Sequence, residues 1–173
     1  MPELPEVETV RVFLDSHMTS QKAIKINIIN SKLRYKIPYN LDRRLSHTIL
    51  TKIDRRGKYL IFQYENNLFL LFHLGMTGYF RFSKVDDFIK HDHLSFKFDG
   101  FYIIFNDIRK FGFLKLYDKS KFVSSKHLIK MGPEPLGKEF DFNYFLKFSK
   151  RDTNIKNLLM NQDFVAGLGN IYC

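Results

Sequence analysis

The chain has 173 residues, 45% of them apolar, with 19 Phe, 9 Tyr and no Trp, a globular composition that excludes a disordered chain. Its length suits one domain, or one domain and part of a second, with enough chain to bury a core. Lys and Arg outnumber Asp and Glu 28 to 18, and the net charge of +10 is the balance of a protein that meets nucleic acid or another anionic surface.

The chain opens "MPELPEVETV", acidic against that trend. Pro5 fits the first position of a helix, and Glu6 and Glu8 suit the positive end of its dipole. Val7, Val10, Phe13, Leu14 and Met18 recur at helical spacing, which predicts a helix to His17 or Met18 with one apolar face. From Ala23 to Tyr117 the pattern is mostly strands. "AIKINIIN" alternates; "KYLIFQY" and "LFLLFHL" flank Asn66-Asn67, and "HLSFKF" and "FYIIFND" flank Asp99-Gly100, so two hairpins are predicted. The apolar run Leu68–Phe72 implies burial on both faces, as between two sheets or between a sheet and the first helix. Beyond Tyr117, "VSSKHLIKM", "FNYFLKFS" and "RDTNIKNLLMNQ" read as helices, with "GPEPLG" as a linker after the first. Asn170 suits the N-cap of a further helix, but the sequence stops three residues later, within the element it begins.

Few residues carry chemistry unaided. If Met1 is trimmed, Pro2 presents a secondary amine, partly unprotonated at neutral pH, which can attack a sugar C1′ and form an iminium. Glu3 beside it can give a proton to a departing or ring oxygen. His91 and His93 form an H-x-H on a predicted strand, both on one face, but two ligands without a third make no metal site. His73 reads as a core histidine. Lys150, Arg151 and Lys156 form a basic cluster suited to phosphates, or a solvated face. The single cysteine, Cys173, excludes an intrachain disulfide framework and a cysteine-rich zinc site. No apolar run reaches the ~20 residues of a membrane span, and the start lacks a secretory layout, so a cytoplasmic protein away from membranes is expected.

The opening "PELPEVETV" closely resembles the amino terminus of the formamidopyrimidine-DNA glycosylases, bifunctional base-excision repair enzymes. "RRGKYL" (55–60), "HLGMTG" (73–78), "NDIRKFG" (106–112) and "GLGNIY" (167–172) match the same family in the same order, with "MGPEPL" (131–136) between the last two. The resemblance implies an α+β fold: an amino-terminal helix packed on a two-sheet antiparallel β-sandwich (1–120), a helical linker region (121–148) and the beginning of a helix–two-turn–helix domain (149–173). It implies Pro2 as Schiff-base nucleophile, Glu3 as acid, Lys58 in proton transfer during β-elimination, and Glu6 near the lesion sugar.

A glycosylase must turn its target nucleotide out of the duplex, at a cost of a few kcal/mol. The resemblance assigns Met76 and Phe111 as wedges and Arg109 as donor to the stranded base; cytosine offers acceptors to a guanidinium, which favours lesions of guanine. His91 and Asn170 match DNA-contacting positions. The implied partner is damaged double-stranded DNA, bound by a monomer that needs no cofactor in this chain. Family members continue into a four-cysteine zinc finger that these residues lack, so a truncated product or fragment is expected, and a silent DNA-binding remnant stands as the alternative. Ile108 replaces the usual proline and Lys110 an arginine. Leu4, where the endonuclease VIII branch has glycine, argues against oxidised pyrimidines.

Overall fold

The computed structural model describes residues 1–149 and 154–173; the expected phosphate contacts Lys150 and Arg151 lie outside them. The chain runs α1 (Leu4–Met18), β1 (Lys25–Ile28), α2 (Leu41–Leu45), β2 (Leu50–Arg56), β3 (Tyr59–Tyr64), β4 (Leu68–His73), β5 (Tyr79–Ser83), β6 (Asp92–Phe98), β7 (Phe101–Asn106), β8 (Phe113–Asp118), α3 (Lys119–Val123), α4 (Phe142–Ser149) and α5 (Ile155–Met160). The strands make two antiparallel four-stranded sheets, β1-β6-β7-β5 and β2-β3-β4-β8. The α+β sandwich expected from the sequence is the fold. No helix among the described residues is long and apolar enough to cross a membrane.

The phenylalanines fill the space between the sheets. Phe62 of β3 stacks on Phe96 of β6 at 6.2 Å, and Phe72 of β4 meets Phe105 of β7 edge-on at 4.7 Å; all four are fully buried. Both hairpins form about their expected turns, with Asn67 in the left-handed region at φ 60°. Helix α1 starts one residue before Pro5, because Glu3 and Glu6 close a reciprocal capping box. It buries Val7, Leu14 and Met18 on the sandwich.

Four local expectations need correction. "VSSKHLIKM" is not a helix: helical structure ends at Val123, and successive turns follow, in which the Leu128 and Ile129 N–H groups both bond the Ser125 carbonyl. Ser124 and Ser125 compete with helix hydrogen bonds, and His127 is drawn onto the rings of Tyr59 and Phe113. "GPEPLG" is no loose linker. Glu134 within it accepts from the Gly57 N–H at 2.7 Å and pairs with Arg55 (2.6 Å) and Arg56 (2.9 Å). His91 does not share a strand face with His93. It sits before β6 at φ 73°, and a register shift follows between Asp92 and Leu94. Finally, α2 lies inside the region read as strands, anchored by the fully buried Leu41 and Leu45 one helical turn apart.

Beyond the sandwich, α4 and α5 share a second small core. Leu158, Phe164 and Val165 are buried there against Phe140, Tyr144 and Phe145, and the Tyr144 hydroxyl donates to the Phe164 carbonyl at 2.9 Å.

Candidate active site

The last turn of the chain closes on its first residues. The Leu4 N–H donates to the Gly167 carbonyl at 3.0 Å. Glu3 is 1% exposed, and its carboxylate accepts from the backbone N–H of Ile171 at 2.8 Å and of Tyr172 at 3.4 Å. The Glu3 N–H donates to Glu6 at 2.9 Å, and the Tyr172 hydroxyl donates to the other Glu6 oxygen at 2.8 Å. Desolvation pushes the Glu6 carboxyl up, but the Tyr172 and Glu3 hydrogen bonds outweigh it and hold the group below the usual carboxylate range.

Lys58 lies with Gly57 in the tight turn between β2 and β3 and is 7% exposed. Burial lowers the pKa of its ammonium, opposed by the charges of Glu3 and Cys173. Glu3 and Lys58 meet over Gly169. A Cβ added there would lie 2.6 Å from the Glu3 carboxylate and 2.7 Å from the Lys58 Nζ, so only glycine leaves room for both. The turn carrying Lys58 is held by Glu134, and Arg55 extends the clamp to Glu8 of α1 at 2.8 Å.

A cleft of about 560 Å³ opens beside this junction, lined by Met1, Arg34, His73, Met76, Arg109 and Phe111 among others. Met76 and Phe111 are 38% and 43% exposed, at the tips of two loops that touch. Gly75 has φ 70°, and a Cβ on it would lie 2.5 Å from the Phe111 carbonyl carbon, so the loops can meet only through glycine. Buried Asp107 ties them, accepting from the Thr77 hydroxyl at 2.5 Å, the Arg109 N–H at 3.2 Å and the Gly112 N–H at 2.7 Å. The Arg109 guanidinium lies 4.7 Å over the Phe111 ring.

His73, in the cleft wall, accepts the Gly75 N–H on Nδ1 at 3.0 Å. Burial, with Lys58 and Arg34 nearby, lowers its pKa to about 4, so the ring is neutral at pH 7. His93 is fully buried, its two ring nitrogens each 3.0 Å from a carbonyl oxygen, of Asn30 and of Asp107. It braces the fold; His91 stands half-buried in its turn. Lys156 and Asn170 are exposed. The structure therefore brings Glu3, Glu6 and Lys58 together, gathers Met76, Arg109 and Phe111 in the adjoining cleft, and sets Lys156 on the separate helical unit.

Sequence reasoning missed Asp107, Glu134, Gly169 and Tyr172 as the residues that hold the others. All four lie inside quoted motifs, but a motif does not say which partner each residue meets.

Residues 1–114 match the family model of the formamidopyrimidine-DNA glycosylase N-terminal domain, and residues 131–173 that of its H2TH domain. The chain belongs to the formamidopyrimidine-DNA glycosylase family. Among its relatives, the formamidopyrimidine-DNA glycosylase of Bartonella quintana (strain Toulouse) is 38% identical over 99% of the chain, and that of Geotalea daltonii (strain DSM 22248 / JCM 15807 / FRC-32) 42%. The chain spans 64% of the length of both. Among solved structures, wild-type Lactococcus lactis Fpg (MutM) in complex with DNA containing N7-benzyl-Fapy-dG has a TM-score of 0.89 and 39% identity, over 99% of this chain and 64% of that one. The same enzyme bound non-covalently to DNA with an AP site scores alike over 98% of this chain and 66% of that one. Cys173 is the only cysteine, and no group of three His, Cys, Asp or Glu among the described residues could hold a metal.

Proposed function

We propose that this chain carries the catalytic part of a bifunctional DNA glycosylase and AP lyase that removes oxidised purines, such as 8-oxoguanine and formamidopyrimidines, from opposite cytosine in duplex DNA, as a monomer. The observation that carries this reading is the junction at Gly169, where Glu3, the chain neighbour of Pro2, converges with Lys58, beside a cleft holding Met76, Arg109 and Phe111.

With Met1 removed, the Pro2 nitrogen attacks C1′ of the extruded nucleotide. The C1′–N bond to the base breaks, and the base leaves with its bonding electrons and a proton. Glu3 protonates the ring oxygen as the sugar opens and C1′ becomes an iminium. The iminium acidifies C2′–H; loss of that proton expels the 3′-phosphate, and hydrolysis of the imine frees Pro2. Lys58 suits the proton transfer because burial lowers the cost of its neutral form. Glu6 keeps its charge near the cationic sugar. In the duplex, Met76 and Phe111 fill the gap and Arg109 meets the acceptor edge of cytosine. His91 and Asn170 contact the backbone. The binding of Fapy-dG, oxidised-pyrimidine and AP-site DNA by the Lactococcus enzyme supports damaged DNA as the substrate, with Fapy-dG the purine lesion among them.

Borohydride trapping tests the reading. Protein purified from cells and mixed with an abasic-site duplex should form a covalent adduct whose protein part lacks Met1, and Pro2→Gly should not form it. Retention of Met1, or DNA binding without any adduct, overturns the proposal in favour of a silent DNA-binding remnant.

A further inference from the structure

The buried ring of Phe113 touches residues that line the lesion cleft and residues that line a second cavity. His73, on the cleft side, stacks on it at 5.4 Å, while Tyr35 and His127 on the other side each approach it at 5.1 Å. The second cavity encloses about 430 Å³ and is lined by Tyr35, Lys115, Tyr117, Lys121, Lys126 and His127 among others. None of its three lysines has a carboxylate within ion-pair distance among the described residues; the carboxylates nearby in sequence are engaged elsewhere, as Asp118 is by Arg44 at 2.7 Å. The Lys115 ammonium lies 4.5 Å over the Tyr35 ring, which orients it within the cavity wall. Burial, and after it the charges of Lys115 and Arg34, disfavour protonation of His127. Consecutive residues join the two spaces, since Arg34 lines the lesion cleft and Tyr35 the lysine cavity.

We propose that this cavity is a second DNA subsite that seats a backbone phosphate of the strand leaving the lesion cleft, with Lys115, Lys121 and Lys126 as its cations. Three lysines lining one cavity, a hydroxyl-bearing rim and no acidic partner within ion-pair distance among the described residues suit a phosphodiester. Adjacency to the cleft across one ring makes the bound DNA the source of that phosphate. The inference rests on the glycosylase reading for its ligand, but its readout is separate.

The test measures equilibrium affinity for a duplex extending well beyond an abasic site on both sides, as a function of salt. Relative to wild type, Lys115→Gln/Lys121→Gln/Lys126→Gln should lower the salt slope by about 1, the share of one phosphate. That removes about threefold of the affinity change between about 50 and 200 mM salt. The triple Lys→Arg variant should keep the wild-type slope, and a duplex cut back to the base pairs around the lesion should bind both proteins alike. Single Lys→Gln variants, each lowering the slope by part of that unit, serve if the triple variant unfolds. Equal slopes for wild type and the glutamine variants overturn the subsite even if borohydride trapping succeeds. A lowered slope without any trapped adduct leaves the subsite standing and removes the glycosylase reading.

Discussion

Replacing Gly169 by alanine perturbs the junction with a single methyl group. The new Cβ would lie 2.6 Å from the Glu3 carboxylate and 2.7 Å from Lys58 Nζ, so both must retreat by roughly 0.8 Å to reach ordinary contact. Glu3 has little room to retreat. Its oxygens are fixed by the Ile171 and Tyr172 N–H groups, and its backbone caps α1. Hydrogen bonds to a charged group contribute about 1.5–3 kcal/mol each, so partial loss of the pair costs about 2 kcal/mol, seen as a fall in Tm of about 4–8 °C. Catalysis suffers more, because a misplacement near 1 Å costs roughly 10²-fold. The assay is single-turnover trapping on an abasic-site duplex at saturating protein, with Tm and duplex affinity measured alongside. We expect a folded variant that binds DNA and traps about 100-fold more slowly. Trapping within about threefold of wild type would refute the idea that Glu3 and Lys58 must converge at this turn.

Asp107→Asn should cost about 1–3 kcal/mol and weaken binding of lesion duplex, because an amide cannot accept from the Thr77 hydroxyl, Arg109 N–H and Gly112 N–H together; an unchanged Tm counts against the loop tie. Glu134→Gln should cost about 2 kcal/mol by urea denaturation, through its ties to Arg55, Arg56 and Gly57. Burial pushes the Glu134 carboxyl up, but those partners hold it below its ordinary value, so its stabilisation is present above pH 4.5 and lost as pH falls further, which the variant should not show. His73 should titrate near pH 4 by NMR. Its folded pKa lies below the 6.5 of an ordinary histidine, so stability from the neutral ring is complete above pH 6.5 and declines toward pH 4, by at most about 3 kcal/mol; a ring titrating near 6.5 would contradict its burial.

What could be read in advance was local. The α1 face of Val7, Leu14 and Met18 follows helical period, and the hairpin turns sit on Asn and Gly because positive φ needs them. The short helix Leu41–Leu45 was invisible because two buried leucines make no long period, and Asp42 fixes it only by reaching the Ile26 N–H at 2.8 Å. Residues 124–131 carry helical periodicity, yet they follow the pull of His127 toward Tyr59 and Phe113, contacts that no window of sequence contains. The candidate site divides in the same way. Pro2, Glu3, Lys58 and Arg109 were legible from residue type and motif; Asp107, Glu134 and Tyr172 were not, since each acts by touching another segment.

On the proposed glycosylase reading, the closure at Gly169 also bears on how DNA would be held. The first amides of a helical turn ordinarily form an anion seat, and Cys173 N–H to Gly169 carbonyl at 3.0 Å begins such a turn. Its Ile171 and Tyr172 amides are already engaged by the Glu3 carboxylate, an anion supplied by the chain itself. A phosphate arriving there competes with Glu3 unless it is bound by the exposed Asn170 side chain. On that reading the turn would serve the acid first and the backbone of DNA second. A shift imposed on residues 169–172 would reach Glu3 through its two amides and Glu6 through the Tyr172 hydroxyl. Grip on the strand and placement of the acid would then be mechanically one event, spanning 168 residues of sequence and a single layer of hydrogen bonds.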